Sequence, residues 1–148
     1  MGNICVHASA EAKQPIAIII PHEAHLRHAL QQALANGNGS SSSDSHLHKD
    51  KSLADLCHDP AVKELVLKEC NAIGKKNGFK PVELLQAVVL TPEEWTPENG
   101  LVTAAQKIQR SKIAKVFEAE IKVCVLVGLL DRSLTFPLFP SQEVYSHQ

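Results

Sequence analysis

Two short apolar runs open the chain. Residues 3–8 (NICVHA) alternate moderately between apolar and polar side chains, and residues 16–20 (IAIII) form a branched run between Pro15 and Pro21. Period-two alternation and branched runs bounded by turn residues both predict strands, here joined by a polar turn as a hairpin. From Glu23 the period lengthens: Leu26, Ala29, Leu30, Ala33 and Leu34 fall on one helical stripe that stops near Asn36-Gly37. Residues 36–50 (NGNGSSSSDSHLHKD) are polar and low in complexity, too poor in apolar surface to offset their own ordering entropy, and are expected to be a mobile insert.

Helical punctuation resumes after the insert. Ser52-Leu53-Ala54-Asp55 has the spacing of a capping box, and Asp59-Pro60 supplies a cap and a first-turn proline for a longer helix. Val62, Leu65, Val66, Cys70 and Ile73 are expected on the buried face of that helix, which Asn77-Gly78 should end. Residues 85–90 predict a third strand. Residues 111–123 predict a final helix with Ile113, Val116, Phe117 and Ile121 as its apolar stripe and Glu118 paired with Lys122 one turn on. The order ββ, α, α, α, β, loop, α gives an α+β fold, a small mixed sheet of about three strands packed by helices.

Between the third strand and the last helix lies LTPEEWTPENGLVTAAQKIQR, residues 90–110. Pro92 and Pro97 interrupt any regular element and Asn99-Gly100 signals a turn, so Lys107 is expected on a loop. Lys107, Arg110, Lys112 and Lys115 concentrate positive charge within nine residues, suited to phosphate or carboxylate, although a solvated helix face accounts for three of the four. Trp95, the single tryptophan, is expected to anchor this loop by burying its ring.

Composition narrows the picture further. With 148 residues and 44% hydrophobic side chains the chain has the size of one domain, and its net charge of −1 provides no field to recruit nucleic acid. Cys5, Cys57, Cys70 and Cys124 are scattered, without CxxC spacing or a secretory leader, which points to reduced thiols in an intracellular protein. The late apolar run is far shorter than a membrane span. The first residues, MGNICV, lack the Ser or Thr expected at the sixth position of a myristoylation signal, and Ser-His-Gln is not a peroxisomal address. His22, His25 and His28 do not form the His-Glu-x-x-His arrangement, and His46 and His48 fall in the insert, so no metal is assigned.

Residues 3–122 resemble the C-terminal subdomain of eukaryotic long-chain acyl-CoA synthetases, of the adenylate-forming, AMP-binding superfamily. NICVHA and PIAIIIPHEAHL look like its early strands, SLADLCHDPAVKELVLKECNAIGKKNGF like its middle helices, and LLQAVVLTPEEWTPENGLVTAAQKIQRSKIAKVFEAEI like its last characteristic block. The resemblance implies an enzyme that uses ATP and Mg2+ to turn a fatty acid into acyl-AMP, after which the small subdomain rotates and coenzyme A attacks the mixed anhydride. It makes Lys107 the adenylation lysine, an electrostatic clamp on the substrate carboxylate and the α-phosphate or ribose side. Arg110 matches a basic position after that lysine, and Gly100 the tight turn before it, as substrate-binding residues.

Two departures lie inside the motif: Gln106 stands where many superfamily members have glycine, and Ala104 where long-chain enzymes often have proline. A larger departure is the lack of a Ser/Thr/Gly-rich phosphate loop ending in Pro-Lys-Gly, and with it the large N-terminal adenylation subdomain, the natural partner of this lid. The chain is therefore expected to be a fragment that is inactive alone and binds none of the cofactors tightly. The alternative is a noncatalytic module that docks on a separate adenylation subdomain or an intact synthetase. A cytoplasmic location is expected, with endoplasmic reticulum, lipid droplet or peroxisome association compatible with the resemblance. Residues 123–148 depart from the family as a divergent tail whose Phe136, Leu138 and Phe139 offer apolar side chains.

Overall fold

The computed structural model describes residues 3–35 and 50–133, with side chains through residue 130. The expected insert (except Asp50), His46, His48, Phe136, Leu138 and Phe139 lie outside the described residues. A three-stranded sheet in the order β1-β2-β3 organises the rest, with β1 Ile4–His7, β2 Ile16–Ile19 and β3 Ala87–Leu90. β1 pairs antiparallel with β2, Cys5 opposite Ile18, as the predicted hairpin requires. β3 runs parallel to β2 with Val89 opposite Ile18. Parallel neighbours need a crossover, and α1 Glu23–Ala35, α2 Leu53–His58 and α3 Pro60–Lys76 provide it.

Because successive strand residues point to opposite faces, the central strand feeds two cores. Ile16, Ile18 and Ile20 join Val89 on one face and pack with Trp95, Leu101, Val102, Ile113, Ile121 and Val125. Ala17, Val88 and Leu90 face the other way and pack with Leu26 and Leu30 of α1, Leu56 and Cys57 of α2 and Val62 of α3. Helices thus cover both faces, which is why β2 reads as an unbroken apolar run and not as an alternating one.

Local chemistry sets the helix ends. Ser52 Oγ accepts the Asp55 N–H at 3.2 Å while Ser52 N–H donates to Asp55 Oδ2 at 3.3 Å, completing the capping box of α2. Asp59 closes α2 through its N–H and opens α3 by accepting from Ala61 N at 3.0 Å, with Pro60 as the first helical residue. At the other end of α3, Gly78 adopts φ +81°, and Phe79 N–H returns to Gly74 O at 3.0 Å while Gly78 N–H bonds Lys75 O at 3.1 Å, a Schellman stop. A 3-10 turn over Pro81–Glu83, which the pattern did not predict, leads toward β3. The third strand starts at Ala87 and not at residue 85, because Asn71 brackets the Leu85 backbone, donating to its carbonyl at 2.9 Å and accepting from its N–H at 2.8 Å.

The single helix predicted over 111–123 is two helices, α4 Arg110–Val116 and α5 Glu118–Ser133. The chain bends at Phe117 (φ −99°, ψ 20°), and the bend takes Val116 out of the expected stripe: it is 61% exposed while Ile113 and Ile121 are buried. Past the expected end, α5 continues through 122–123 without a break. Val125 is buried in the core there, and Gly128 leaves the space through which Gln86 Nε2 reaches the Cys124 carbonyl at 3.1 Å. Ile73, expected on the buried face of α3, is 59% exposed, because it borders an open apolar groove of about 330 Å³ shared with Ile4, Val6, Phe79 and Leu85. The Glu118–Lys122 pair forms as predicted, at 2.7 Å.

Candidate functional site

The loop that follows β3 is held from below and from within. Thr91 N–H continues the β2 ladder by donating to Ile19 O at 3.0 Å. Trp95 is then 4% exposed, its ring sunk among Leu101, Val102 and Ile113, as the sequence predicts for a loop anchor. Its Nε1 is the buried side-chain polar atom without a hydrogen-bond partner among the described residues.

Asn99, which sequence reasoning treats only as a turn signal, ties the span together. Its Oδ1 accepts from Thr96 N at 3.0 Å and Leu101 N at 3.2 Å, and its Nδ2 donates to Glu94 O at 2.9 Å. Glu98 lies in the same turn, and hydrogen bonds from its own backbone and from Thr96 hold its carboxyl below the usual range. Gly100 follows with φ +73°, a left-handed backbone that favours glycine, and a Cβ there would stand 3.6 Å from the Lys112 ammonium. Gly100 is therefore the point where the turn and the basic helix approach each other.

Beyond Gly100 the chain folds into a tight hairpin. Val102 and Ile108 form an antiparallel bridge, Thr103 N–H donates to Lys107 O at 2.8 Å, and Gln106 N–H donates to Thr103 O at 2.8 Å. Lys107 N–H donates to Thr103 Oγ1 at 3.1 Å. Gln106, at φ +59°, is the non-glycine residue with a left-handed backbone among the described residues. The turn demands positive φ, which favours glycine, and Gln106 adopts it at a cost of about 1–2 kcal/mol.

Lys107 itself is exposed on this hairpin, and among the described residues its ammonium has no ion-pair partner. Arg110 opens α4 and points elsewhere: its Nη1 donates to the Val6 carbonyl of β1 at 3.2 Å, which fastens α4 to the sheet edge. Its charge also opposes, without overcoming, the burial that pushes the Cys5 thiol up. Lys107, Gly100 and Arg110 thus share one loop-and-helix unit, and none of the three lines a groove found among the described residues. The groove of about 620 Å³ between β1 and α5 is lined by His7, Ile121, Val125 and Leu129 and includes none of the three, and neither does the groove beside α3. The arrangement presents Lys107 on a braced turn, with Lys112 approaching the same turn at Gly100.

The histidines and cysteines lie apart from this unit. His22 and His25 stack with ring centroids 4.7 Å apart, and among the described residues no group of three His, Cys, Asp or Glu side chains is placed to hold a metal. All four cysteines are free, and burial pushes each thiol up. Among the described residues no helix is long and apolar enough to cross a membrane.

The chain is 43% identical over 122 residues to long-chain-fatty-acid–CoA ligase 1 of Schizosaccharomyces pombe, a match over 82% of this chain and 16% of the relative. The chain is homologous to long-chain-fatty-acid–CoA ligases. It is also 33% identical over 121 residues to ligase 3 of Saccharomyces cerevisiae, again 81% of this chain and 16% of that one. The chain therefore spans about one sixth of the length of the ligases it matches. No family model matches it. Among solved structures, the A-PCP didomain of a carboxylic acid reductase from Segniliparus rugosus, in complex with AMP, superposes with a TM-score of 0.58 over 93% of this chain and 16% of that one. At 18% identity this likeness establishes the fold alone. The expected α+β fold, a mixed three-stranded sheet packed by helices, is the fold observed.

Proposed function

We propose that this chain is the lid portion of a fatty acid–CoA ligase and that Lys107 is its catalytic group, working only when a large adenylation subdomain holds the substrates beneath it. The observation that carries this reading is the exposed ammonium of Lys107, without an ion-pair partner among the described residues, on a hairpin tied by three hydrogen bonds to Thr103. A cation held out in this way is suited to charge that develops outside its own domain. In the reaction a carboxylate oxygen of the fatty acid attacks the α-phosphorus of ATP, the bond to pyrophosphate breaks, and acyl-AMP results. Lys107 draws carboxylate and phosphate together and offsets the charge that grows on the phosphoryl oxygens, without forming a covalent bond.

The residues present fit part of that task. Lys107 supplies a charge, and it lines none of the grooves found among the described residues. ATP, Mg2+ and coenzyme A accordingly belong with the adenylation subdomain, and the isolated chain releases no pyrophosphate from ATP and fatty acid. Gly100 serves by shaping the turn, and Arg110 by fastening α4 to Val6. The test is a chimera of the Schizosaccharomyces pombe ligase in which its matching sixth is replaced by this chain. Fatty-acid-dependent pyrophosphate release is expected from the chimera and should fall by roughly 10²-fold or more in its Lys107→Ala variant. Equal rates with and without the lysine overturn the reading.

A further inference from the structure

We infer that Thr103 is the positioning residue of Lys107, fixing where its ammonium is presented. This rests on the proposed role of the lysine. Thr103 meets the lysine's peptide unit on both sides: its N–H donates to Lys107 O at 2.8 Å and its Oγ1 accepts from Lys107 N at 3.1 Å. Its carbonyl also accepts from Gln106 N at 2.8 Å, which holds Gln106 in the left-handed conformation that turns the chain toward Lys107. Of these three bonds two use the Thr103 backbone and do not depend on its side chain. The third is the hydroxyl's alone, and it holds the N–H of the catalytic residue itself.

The mechanical consequence follows from where the loop is otherwise anchored. Trp95, Leu101 and Val102 are buried, and Gln109 N–H bonds Leu101 O at 2.9 Å, so both feet of the hairpin are fixed. Residues 103–107 stand between those feet and are partly or fully exposed. Among the described residues the hydroxyl makes the side-chain hydrogen bond within this tip. Without it the Lys107 peptide is free to rock, and a displacement of about 1 Å at a group acting on a transition state is enough to cost up to about 10²-fold in rate.

The experiment compares Thr103→Ser, Thr103→Ala and Thr103→Val. In the full chain, NMR-detected amide exchange at Lys107 is expected to accelerate at least fivefold in the Ala and Val variants and to stay at the parental rate in the Ser variant. In the ligase chimera, kcat for pyrophosphate release is expected to fall about tenfold with Ala or Val at an unchanged KM for ATP, and to be restored by Ser. The loss should vanish when Lys107 is already alanine, because a positioning residue has no effect without the group it positions. Unaltered exchange at Lys107 in Thr103→Ala, or an unaltered kcat in a chimera that still depends on Lys107, overturns the inference and leaves the lysine's own role standing. A chimera indifferent to Lys107→Ala overturns both.

Discussion

At the scale of single residues, Trp95 shows how a functional loop is secured to a core at some expense. Its ring fills the sheet face beside Ile113 and Val102, but its Nε1 is buried without a partner among the described residues. An unsatisfied buried donor costs about 1–3 kcal/mol, so the anchor is valued for its area and not for its polar atom. Trp95→Ala is expected to destabilise the chain by about 3–5 kcal/mol, whereas Trp95→Phe keeps most of the area, removes the orphan donor and should cost less than half as much. Urea unfolding followed by far-UV circular dichroism measures both, and equal losses would show that the indole N–H has a partner in solution. Gln106 illustrates the same trade: a strained backbone is retained because the surrounding bonds to Thr103 over-determine it. The ring's burial was readable from its sequence setting, since a lone tryptophan in a proline-broken loop has few other uses. The unpaired nitrogen was not, because a hydrogen-bond partner is a matter of geometry that no spacing encodes.

At the scale of elements, capping decides what short helices exist. α2 has six residues, too few to persist on propensity alone, and the reciprocal bonds between Ser52 and Asp55 compensate. The hydroxyl and N–H of Ser52 hold the exposed Asp55 carboxyl below its ordinary value. A group whose folded pKa is depressed lends stability above its unfolded pKa and loses it as pH falls through the folded value. The cap should therefore be intact at neutral pH and fade in acid, from the ordinary carboxylate range downward. Ser52→Ala should lower the unfolding midpoint at pH 7 and flatten the acid dependence between pH 5 and 3. A variant that retains the parental slope would assign the acid sensitivity to other carboxylates. The capping signature was plain in the sequence, as was the Asp59-Pro60 start and the Asn77-Gly78 stop, because each is written in adjacent residues. The break at Phe117 was not, for its apolar spacing continues smoothly from Ile113 to Ile121 and only packing against the sheet bends the chain there.

At the scale of the molecule, the sheet divides the chain into two cores, and α5 closes the one that lies beneath the Lys107 loop. Val125 and the Gln86 contact at Gly128 place the second half of α5 within this unit, beyond residue 122 where a divergent tail was expected to begin. A chain ending at Lys122 should lose the burial of Val125, worth about 1.5–3 kcal/mol, and unfold at lower urea than a chain ending at Ser133. Identical midpoints would mean that residues 123–133 add nothing to the core. The same helix exposes Val123, Leu126, Val127 and Leu130, so its outer face departs from an ordinary amphipathic pattern.

The sequence by itself determined the inventory: two opening strands, the capped helices, a third strand, a loop carrying Lys107, and a resemblance to acyl-CoA synthetases carried by several blocks in order. Those features depend on neighbours within about four positions, where period, caps and turn residues act directly. Tertiary structure decided the parallel pairing of β3 with β2, the division of α4 from α5 and the service of Arg110 to β1. Each of these joins atoms whose meeting depends on how the chain turns in space. Arg110 and Val6 are 104 residues apart in the chain, and no local pattern reaches that far.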